Sequence, residues 1–306
     1  MDLCPLSSAS DKPTPAPIGL NNTTGALCWF NSLLQALLSL PALQQACARE
    51  LESRAMPPRV GLLRELALMF ESPSPTQHNA CVRALVAAAQ TKLDFSSQEG
   101  AANGLVAFLE ALQSTTVDLE FMTRYRMTIL CSGCGQTTSS QLDESTIIDW
   151  YGEAAPEGAA RTVEAFSNKV WRRVTAVDFD CELCGHKNCA APRTETLRRL
   201  GSVVVLAFRT QQPDRWYPPR LEFSGVDLAT RLRFELVATV LHHGSVSFPT
   251  TASSGHYTAC VRRGSTWYAT NDSFVQPLPI GPPAPSAATH LAFYHFAGFD
   301  RAAERE

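Results

Sequence analysis

The sequence predicts an α+β fold, in which a helical first third is followed by a mostly β remainder. In the first third, Leu- and Ala-rich segments carry apolar residues at helical spacing. From Phe121 onward, β-branched and aromatic residues occur in short runs between polar breaks. Helices followed by strands are typical of α+β architecture, so we expect a functional site in the cleft between the two parts.

The helices are predicted in chain order from the apolar spacing. The first covers residues 29–40 and ends at Pro41, and three more are expected around 60–70, 81–93 and 104–113. The run SPSPTQHN is rich in turn formers and is predicted to be a turn between the second and third helices.

The strands follow from runs of β-branched and aromatic residues. They are predicted, in order, at MTIL, STIIDW, VWRRV, SVVVLAFR, LRFELVATVL, YTACVRR and HLAFYHF. No internal repeat accompanies them.

Composition excludes several functional classes. The chain has 306 residues, 45% of them hydrophobic, which is enough for a large core. Its net charge of −3 comes from interspersed charges of both signs, so neither nucleic acid nor a membrane surface is an expected partner. No apolar stretch has the length of a membrane span, and the N-terminus lacks the pattern of a signal peptide. We therefore expect a cytoplasmic or nuclear monomer, with residues 1–17 as a disordered Pro-rich leader.

One cysteine lies where a loop becomes a helix. Cys28 follows the stretch GLNNTTGAL and precedes an apolar run that carries Leu33, Leu34, Leu37 and Leu38 at helical spacing. At a helix N-terminus, backbone N–H groups and the positive end of the helix dipole favour a thiolate. Most free cysteines are small buried hydrophobes, but this setting predicts that Cys28 is a nucleophile.

One histidine has a comparable setting near the other end of the chain. The triplet GHY at 255–257 opens an alternating strand pattern, which places the His256 imidazole at a strand start beside a glycine. It can serve as general base and then as general acid. His242 and His243 lack this setting, and we predict structural or exposed roles for them. The pairing of Cys28 with His256 predicts a thiol protease.

Two Cys-x-x-Cys knuckles, each followed by glycine, form a second constellation. Their members are Cys131, Cys134, Cys181 and Cys184. The chain has ten cysteines and no secretion signal, and in a reducing compartment such spacings more often hold metal than form disulfides. We predict one structural, tetrahedral zinc with these four ligands and no open position. His186 and Cys189 are close enough in sequence to compete, and we rank them below the four.

Around these residues the sequence resembles the ubiquitin-specific proteases. Their cysteine box is similar to Gly19-Leu20, Asn22, Gly25, Cys28, an aromatic pair, Asn31-Ser32, Leu34-Gln35 and Leu37. Their histidine box is similar to GHY at 255–257, Trp267 and Asn271-Asp272-Ser273. The resemblance extends from about Ile18 to Phe299.

This resemblance implies a papain-like fold in three parts. A helical thumb would cover about 18–118, zinc-ribbon fingers 119–198 and an antiparallel β palm 199–299, with residues 300–306 as a tail. The loop that leads to the histidine box, HHGSVSFPTTASSGHY, would cover the tail of ubiquitin.

The resemblance also implies a third catalytic residue and an oxyanion donor. An Asn or Asp should accept the second ring N–H of His256, and we assign Asn271 to this role with Asp272 as the alternative. Asn22 is the candidate amide for the oxyanion. Here the sequence departs from the family, because the family's Asn five residues before the cysteine is Thr23 in this chain. The family's acidic box is replaced by GLVA at 104–107.

The predicted function is hydrolysis of (iso)peptide bonds at the C-terminal glycine of ubiquitin, through a Cys-His-Asn/Asp triad and a thioester. Three alternatives stay open. The modifier could be a ubiquitin-like protein, or the chain could be a catalytically weak ubiquitin-binding scaffold whose helical part has diverged. An unrelated papain-like protease would give no reason for the cysteine knuckles.

Overall fold

The structure is a computed structural model that describes residues 15–53, 61–72, 74–90, 93, 95, 100–112, 114–150, 162–208, 216–224, 230–244, 255–279 and 281–301. Its helices are α1 (Cys28–Leu38), α2 (Pro41–Ser53), α3 (Gly61–Glu71), α4 (Pro75–Ala89), α5 (Ala101–Leu112), α6 (Thr115–Phe121) and α7 (Val163–Trp171). Most of the predicted leader, residues 1–14, and residues 302–306 of the predicted tail lie outside this range, as does most of the loop before His256. Pro17 is buried.

The strands form two sheets. They are β1 (Thr123–Leu130), β2 (Thr137–Ser145), β3 (Ile148–Trp150), β4 (Arg172–Phe179), β5 (Cys189–Arg199), β6 (Val203–Phe208), β7 (Arg220–Ser224), β8 (Thr230–Gly244), β9 (Gly255–Arg263), β10 (Thr266–Asn271), β11 (Phe274–Leu278) and β12 (Thr289–Arg301). One sheet has the order β2-β1-β5-β4, and the other has the order β11-β10-β9-β8-β12-β6-β3, with β7 paired to β8. Pairing is antiparallel except between β3 and β6. The α+β prediction is confirmed.

Two sequence predictions at element boundaries are wrong. The run SPSPTQHN is not all turn, because Pro75 begins α4 and the Ser74 hydroxyl caps this helix by accepting from the Gln77 N–H, at 3.4 Å. Serine at the N-cap and proline at the first helical position are a helix start signal. The run VWRRV is not one strand, because α7 ends at Trp171 and β4 begins at the next residue.

The largest core lies between the helices and one face of the longer sheet. All residues of α1 are buried, which makes it the central helix of the molecule. It packs against β9, where Tyr257, Ala259 and Val261 point inward, and belongs to one apolar cluster with α2 to α5. A second apolar cluster covers the opposite face of the sheet under α7 and β7. The helix that begins at Cys28 and the strand that holds His256 therefore share a continuous apolar interface.

A glycine on α5 explains part of the difference between GLVA at residues 104–107 and the acidic box expected there. A Cβ on Gly104 would lie 2.3 Å from the Trp29 ring, so only glycine fits there. The Trp29 ring also stacks on Phe95, and Phe30 contacts Phe95 and Phe108 edge-on. Trp29, the first residue of the aromatic pair after Cys28, therefore packs directly against the α5 backbone at Gly104. In the described part of the chain, none of the helices is long and apolar enough to cross a bilayer.

Candidate active site

Cys28 is the first residue of α1, and its side chain is buried. The preceding residue, Leu27, is the N-cap and provides no side-chain hydrogen bond to the helix. Instead, the loop before the cysteine is held by its own polar groups: the Asn22 Oδ1 accepts from the Leu27 N–H at 3.0 Å, and Gly25 has a φ of +76°. The sulfur thus lies at the positive end of a helix dipole, as the sequence predicted.

His256 and Asn271 are brought together by neighbouring antiparallel strands. His256 is the second residue of β9, and Asn271 is the last residue of β10. The His256 Nε2 lies 2.6 Å from the Asn271 Oδ1. An amide oxygen can only accept, so Nε2 carries the proton and the lone pair of the neutral ring is on Nδ1. This arrangement fixes the tautomer that a general base needs.

Gly255 is required by the close approach of a neighbouring histidine. A Cβ at Gly255 would lie 2.2 Å from the His242 Nε2. His242 is buried against the Tyr257 ring, with 4.5 Å between centroids, whereas His243 is exposed and contacts the Thr258 hydroxyl at 2.9 Å. Burial lowers the pKa of His242. The pKa of the more exposed His243 is lowered by partial desolvation of its ring and by the nearby His256.

Asp272 connects the histidine hairpin to the cysteine loop. Its carboxylate accepts from the Asn22 Nδ2 at 3.1 Å and from the Asn31 Nδ2 at 2.8 Å. Its backbone carbonyl accepts from the Leu20 N–H at 2.9 Å. The turn approaches so closely that a Cβ on Gly19 would lie 2.1 Å from the backbone oxygen of the next residue, Ser273. A charged acceptor that bridges two amides makes strong hydrogen bonds.

Four of the five predicted residues form two hydrogen-bonded pairs, His256 with Asn271 and Asn22 with Asp272. Asn271 contacts His256, whereas the contacts of Asp272, our alternative for that role, go to the cysteine loop and to α1. Asn31 was part of the similarity to the cysteine box, but its contact with this carboxylate was not predicted. The available signal in the sequence was a polar residue directly after the apolar pair Trp29-Phe30 in a helix that is otherwise mostly apolar.

Asn22 lies beside the N-terminus of α1 despite its shift by one residue. Its carbonyl oxygen is used by Leu27 and one amide hydrogen by Asp272, which holds the side chain at both ends. A carboxamide has two N–H donors, so this pair of contacts leaves one donor for an additional acceptor.

The four predicted metal ligands form a compact cluster. The sulfur atoms of Cys131, Cys134, Cys181 and Cys184 all lie within 4.8 Å of one another. The sulfurs are 3.8 Å apart for Cys131 and Cys184, and 3.9 Å for Cys134 and Cys181. Thiolates at the corners of a tetrahedron around zinc, with Zn–S of about 2.3 Å, would be about 3.8 Å apart. The donor set fits a tetrahedral zinc ion.

The two knuckles have the same backbone geometry. In each, the glycine after the second cysteine has a positive φ, +70° at Gly135 and +72° at Gly185, and its N–H donates to the carbonyl of the first cysteine. Hydrogen bonds from the backbone N–H groups of Cys134 and Gly133 help to lower the pKa of Cys131 to about 6, whereas desolvation and the neighbouring cysteines raise the pKa of Cys184. The Cys189 thiol instead donates to the Phe179 carbonyl at 3.0 Å and lies outside the cluster of four.

Solved structures with the same fold support this layout. The chain aligns with Ubp8 in the SAGA Ubp8/Sgf11/Sus1/Sgf73 DUB module bound to ubiquitin aldehyde, with a TM-score of 0.70 and 17% identity over 96% of this chain and 72% of that one. A Ubp8 variant in the same module bound to monoubiquitin gives a TM-score of 0.70 and 17% identity over 95% and 72%. A yeast SAGA DUB module with an Sgf73 variant gives 0.59 and 16% over 95% and 71%. The papain-like fold is thereby confirmed.

Sequence comparison leads to the same family. A search among curated proteins finds no significant match. The sequence model of the ubiquitin carboxyl-terminal hydrolases matches residues 18–289, which is most of the chain. The predicted similarity to the ubiquitin-specific proteases is confirmed by this match together with the fold. The chain belongs to the ubiquitin carboxyl-terminal hydrolase family and is a deubiquitinating cysteine peptidase.

Proposed function

We propose that this chain cleaves (iso)peptide bonds after the C-terminal glycine of ubiquitin, with Cys28, His256 and Asn271 as a triad. The observation that carries the proposal is the hydrogen bond of 2.6 Å between His256 and Asn271, on a hairpin that also holds the Cys28 loop through Asp272. The ubiquitin substrate is supported by two neighbours of the same fold, which were solved with ubiquitin aldehyde and with monoubiquitin.

The reaction has two stages. In the first, the Cys28 proton moves to the His256 Nδ1 as the sulfur attacks the glycine carbonyl carbon, and the imidazolium then protonates the departing lysine amine. A thioester between Cys28 and ubiquitin remains. In the second, His256 takes a proton from water, the hydroxide attacks the thioester, and the carboxylate and the thiol are released. Asn271 stabilises the imidazolium and holds its orientation in both stages.

Asn22 and the N-terminus of α1 stabilise the oxyanion. We infer that the second N–H of the Asn22 amide and the backbone N–H of Cys28 donate to the negative oxygen of the tetrahedral intermediate. Because Asp272 and Leu27 hold the Asn22 side chain at both ends, its amide is preorganised although it stands one residue earlier than in the family.

Replacing Asn22 with alanine should lower kcat by on the order of 10² to 10³, with little change in KM, because the donor acts mainly in the transition state. Steady-state kinetics with a fluorogenic ubiquitin amide measure this. Thr23→Ala is the matched control, since the family's position is occupied by Thr23 here. A larger loss in Thr23→Ala than in Asn22→Ala would assign the oxyanion to another donor.

We also propose that the four-cysteine cluster holds one structural zinc ion. The residues that would hold it are Cys131, Cys134, Cys181 and Cys184, at the ends of strand pairs in the shorter sheet. With four protein ligands it would stabilise these strand ends and have no open position for substrate. It has no part in the chemistry at Cys28.

The substrate assignment is tested by a paired assay. Purified protein is incubated with ubiquitin and with ubiquitin-like proteins that carry the same C-terminal fluorogenic amide. We expect hydrolysis of the ubiquitin amide at a kcat/KM at least about tenfold higher, a difference of roughly 1.4 kcal/mol. Faster hydrolysis of a ubiquitin-like substrate would mean that the preferred modifier is that ubiquitin-like protein. Binding of ubiquitin without hydrolysis of any substrate would instead support a scaffold.

A further inference from the structure

Arg263 is a charged residue on the inward face of the histidine strand. It closes the alternation of β9, in which Tyr257, Ala259 and Val261 face the helices, and belongs to the same face by spacing. Burial lowers the pKa of Arg263 to about 10, so its guanidinium is still charged at physiological pH. Burial lowers the pKa of the nearby His78, and the charge of Arg263 adds to this effect.

The Arg263 guanidinium contacts the C-terminal end of α1, the helix that begins with Cys28. The Arg263 Nη1 donates to the carbonyl oxygen of Leu38, the last residue of α1. The last carbonyls of a helix have no acceptor role within it and carry the negative end of the dipole. At this end the Ser39 N–H and hydroxyl already return to carbonyls within α1, the hydroxyl to Ala36 at 2.6 Å. Arg263 supplies the cation and donor from outside the helix.

One hairpin thus holds α1 at both ends. At the N-terminal end, Asp272, which follows β10, accepts from Asn31 and from Asn22 in the preceding loop. At the C-terminal end, Arg263 of β9 donates to Leu38. Asn31 and Leu38 are about 10 Å apart along the axis, at the rise of about 1.5 Å per residue of an α-helix. Between them α1 packs mainly against apolar side chains, whose attraction is not directional, and the buried Gln35 Nε2 adds a hydrogen bond to the Ile18 carbonyl at 2.6 Å. The polar contacts therefore define the axial position of the helix relative to the strands.

We propose that Arg263 is a positioning residue for the hydrolytic reaction, which sets the axial position of α1 and with it the position of Cys28 relative to His256. This inference rests on the proposed triad. Arg263 lies at the opposite end of α1 from the nucleophile and acts on the reaction through its contact with the helix. A displacement of about 1 Å between reacting groups can cost on the order of 10² in rate.

The test compares three variants by kinetics and by alkylation of Cys28. Arg263→Met removes the positive charge and the hydrogen-bond donors. Arg263→Lys keeps a positive charge and N–H donors, but on one ammonium nitrogen. Arg262→Met is the matched control. Arg262 is the adjacent residue, and its Nη1 contacts Glu235 at 2.9 Å on the strand β8. Kinetics use a fluorogenic ubiquitin amide at a temperature well below unfolding, with active enzyme counted by titration. Alkylation uses iodoacetamide across pH, followed by mass spectrometry of the Cys28 peptide.

We expect Arg263→Met to lower kcat by about 10- to 100-fold with KM within about twofold. Arg263→Lys should recover at least half of this loss on a logarithmic scale, and Arg262→Met should match wild type. The pH profile of Cys28 alkylation should move to higher pH in Arg263→Met, because the imidazole no longer accepts the thiol proton in the same geometry. If Arg263→Met does not fold, folded Arg263→Lys is measured in its place. Its loss of kcat should then be smaller than the loss in Asn22→Ala.

Three results would overturn the inference. They are an Arg263→Met enzyme with wild-type kcat per active site, a Lys variant no better than Met at equal thermal stability, or an unchanged alkylation profile in folded Arg263→Met. Failure of the proposed function looks different, since wild type itself would then not hydrolyse the ubiquitin amide. The alkylation profile would still report whether Arg263 affects Cys28.

Discussion

Replacing His256 with alanine should lower kcat/KM for a ubiquitin amide by on the order of 10⁴, the upper range for loss of a positioned acid–base group. The buried Cys28 thiol would lose its proton acceptor, and the amine would leave without a proton. Alkylation of Cys28 by iodoacetamide at neutral pH should slow as well, because the thiolate fraction falls. The fold should be retained, since His256 is only partly buried. Steady-state kinetics and thermal unfolding measure the two effects separately.

Double substitutions decide between Asn271 and Asp272. Asn271 acts through the imidazole, so adding Asn271→Ala to His256→Ala should cost little more, whereas alone it should cost roughly 10- to 100-fold. Asp272→Ala acts through Asn22 and Asn31, so its loss should largely add to that of His256→Ala. The opposite pattern of additivity would exchange the two roles and make Asp272 the partner of His256.

Loss of the four-cysteine site is expected to have the largest effect on stability. We expect wild type to contain one zinc per chain by elemental analysis, and Cys181→Ser to contain none. Structural zinc binding supplies about 10 kcal/mol or more in small zinc domains. Only part of it is needed here, because the two large cores on the faces of the longer sheet are separate from the cluster that contains these cysteines. A loss of about 4 kcal/mol would lower Tm by roughly 10 °C.

Cys189 provides the matched control for this prediction. It is buried next to the cluster, but its thiol donates to the Phe179 carbonyl. Cys189→Ser should therefore retain one zinc and unfold within a few degrees of wild type. Zinc lost from Cys189→Ser and retained in Cys181→Ser would mean that the ligand set is different from the one proposed.

Much of the fold could be predicted because its signals are local. The leucines of α1 recur at helical spacing, and the glycines after each knuckle have the positive φ that such tight turns require. The failures have local causes too. Pro41 was interpreted only as the end of α1, but it is also the first residue of α2, where proline is tolerated. The strand β2, TTSSQLDES, is polar and gains its pairing from β1, which a short-range pattern does not show.

The site was predictable where one residue has a distinctive neighbourhood, and less so where it depends on long-range contacts. Cys28 and His256 each stand in such a neighbourhood. The contact of Asp272 with Asn31 joins residues far apart in the chain, and its geometry depends on the packed fold. Arg263 did have a signal, because a charged residue continues the inward alternation of β9. Its partner, however, is a backbone carbonyl, which every residue has.

The most direct measurement of the central claim is covalent capture. Ubiquitin that carries a thiol-reactive group in place of its C-terminal carboxylate is incubated with wild type and with Cys28→Ala, and the intact mass of each is recorded. We predict one adduct of ubiquitin on wild type and none on Cys28→Ala, because the group is delivered to a single activated thiol. An adduct that persists in Cys28→Ala, or none on folded, zinc-loaded wild type, would contradict the assignment of Cys28 as a nucleophile that acts on ubiquitin.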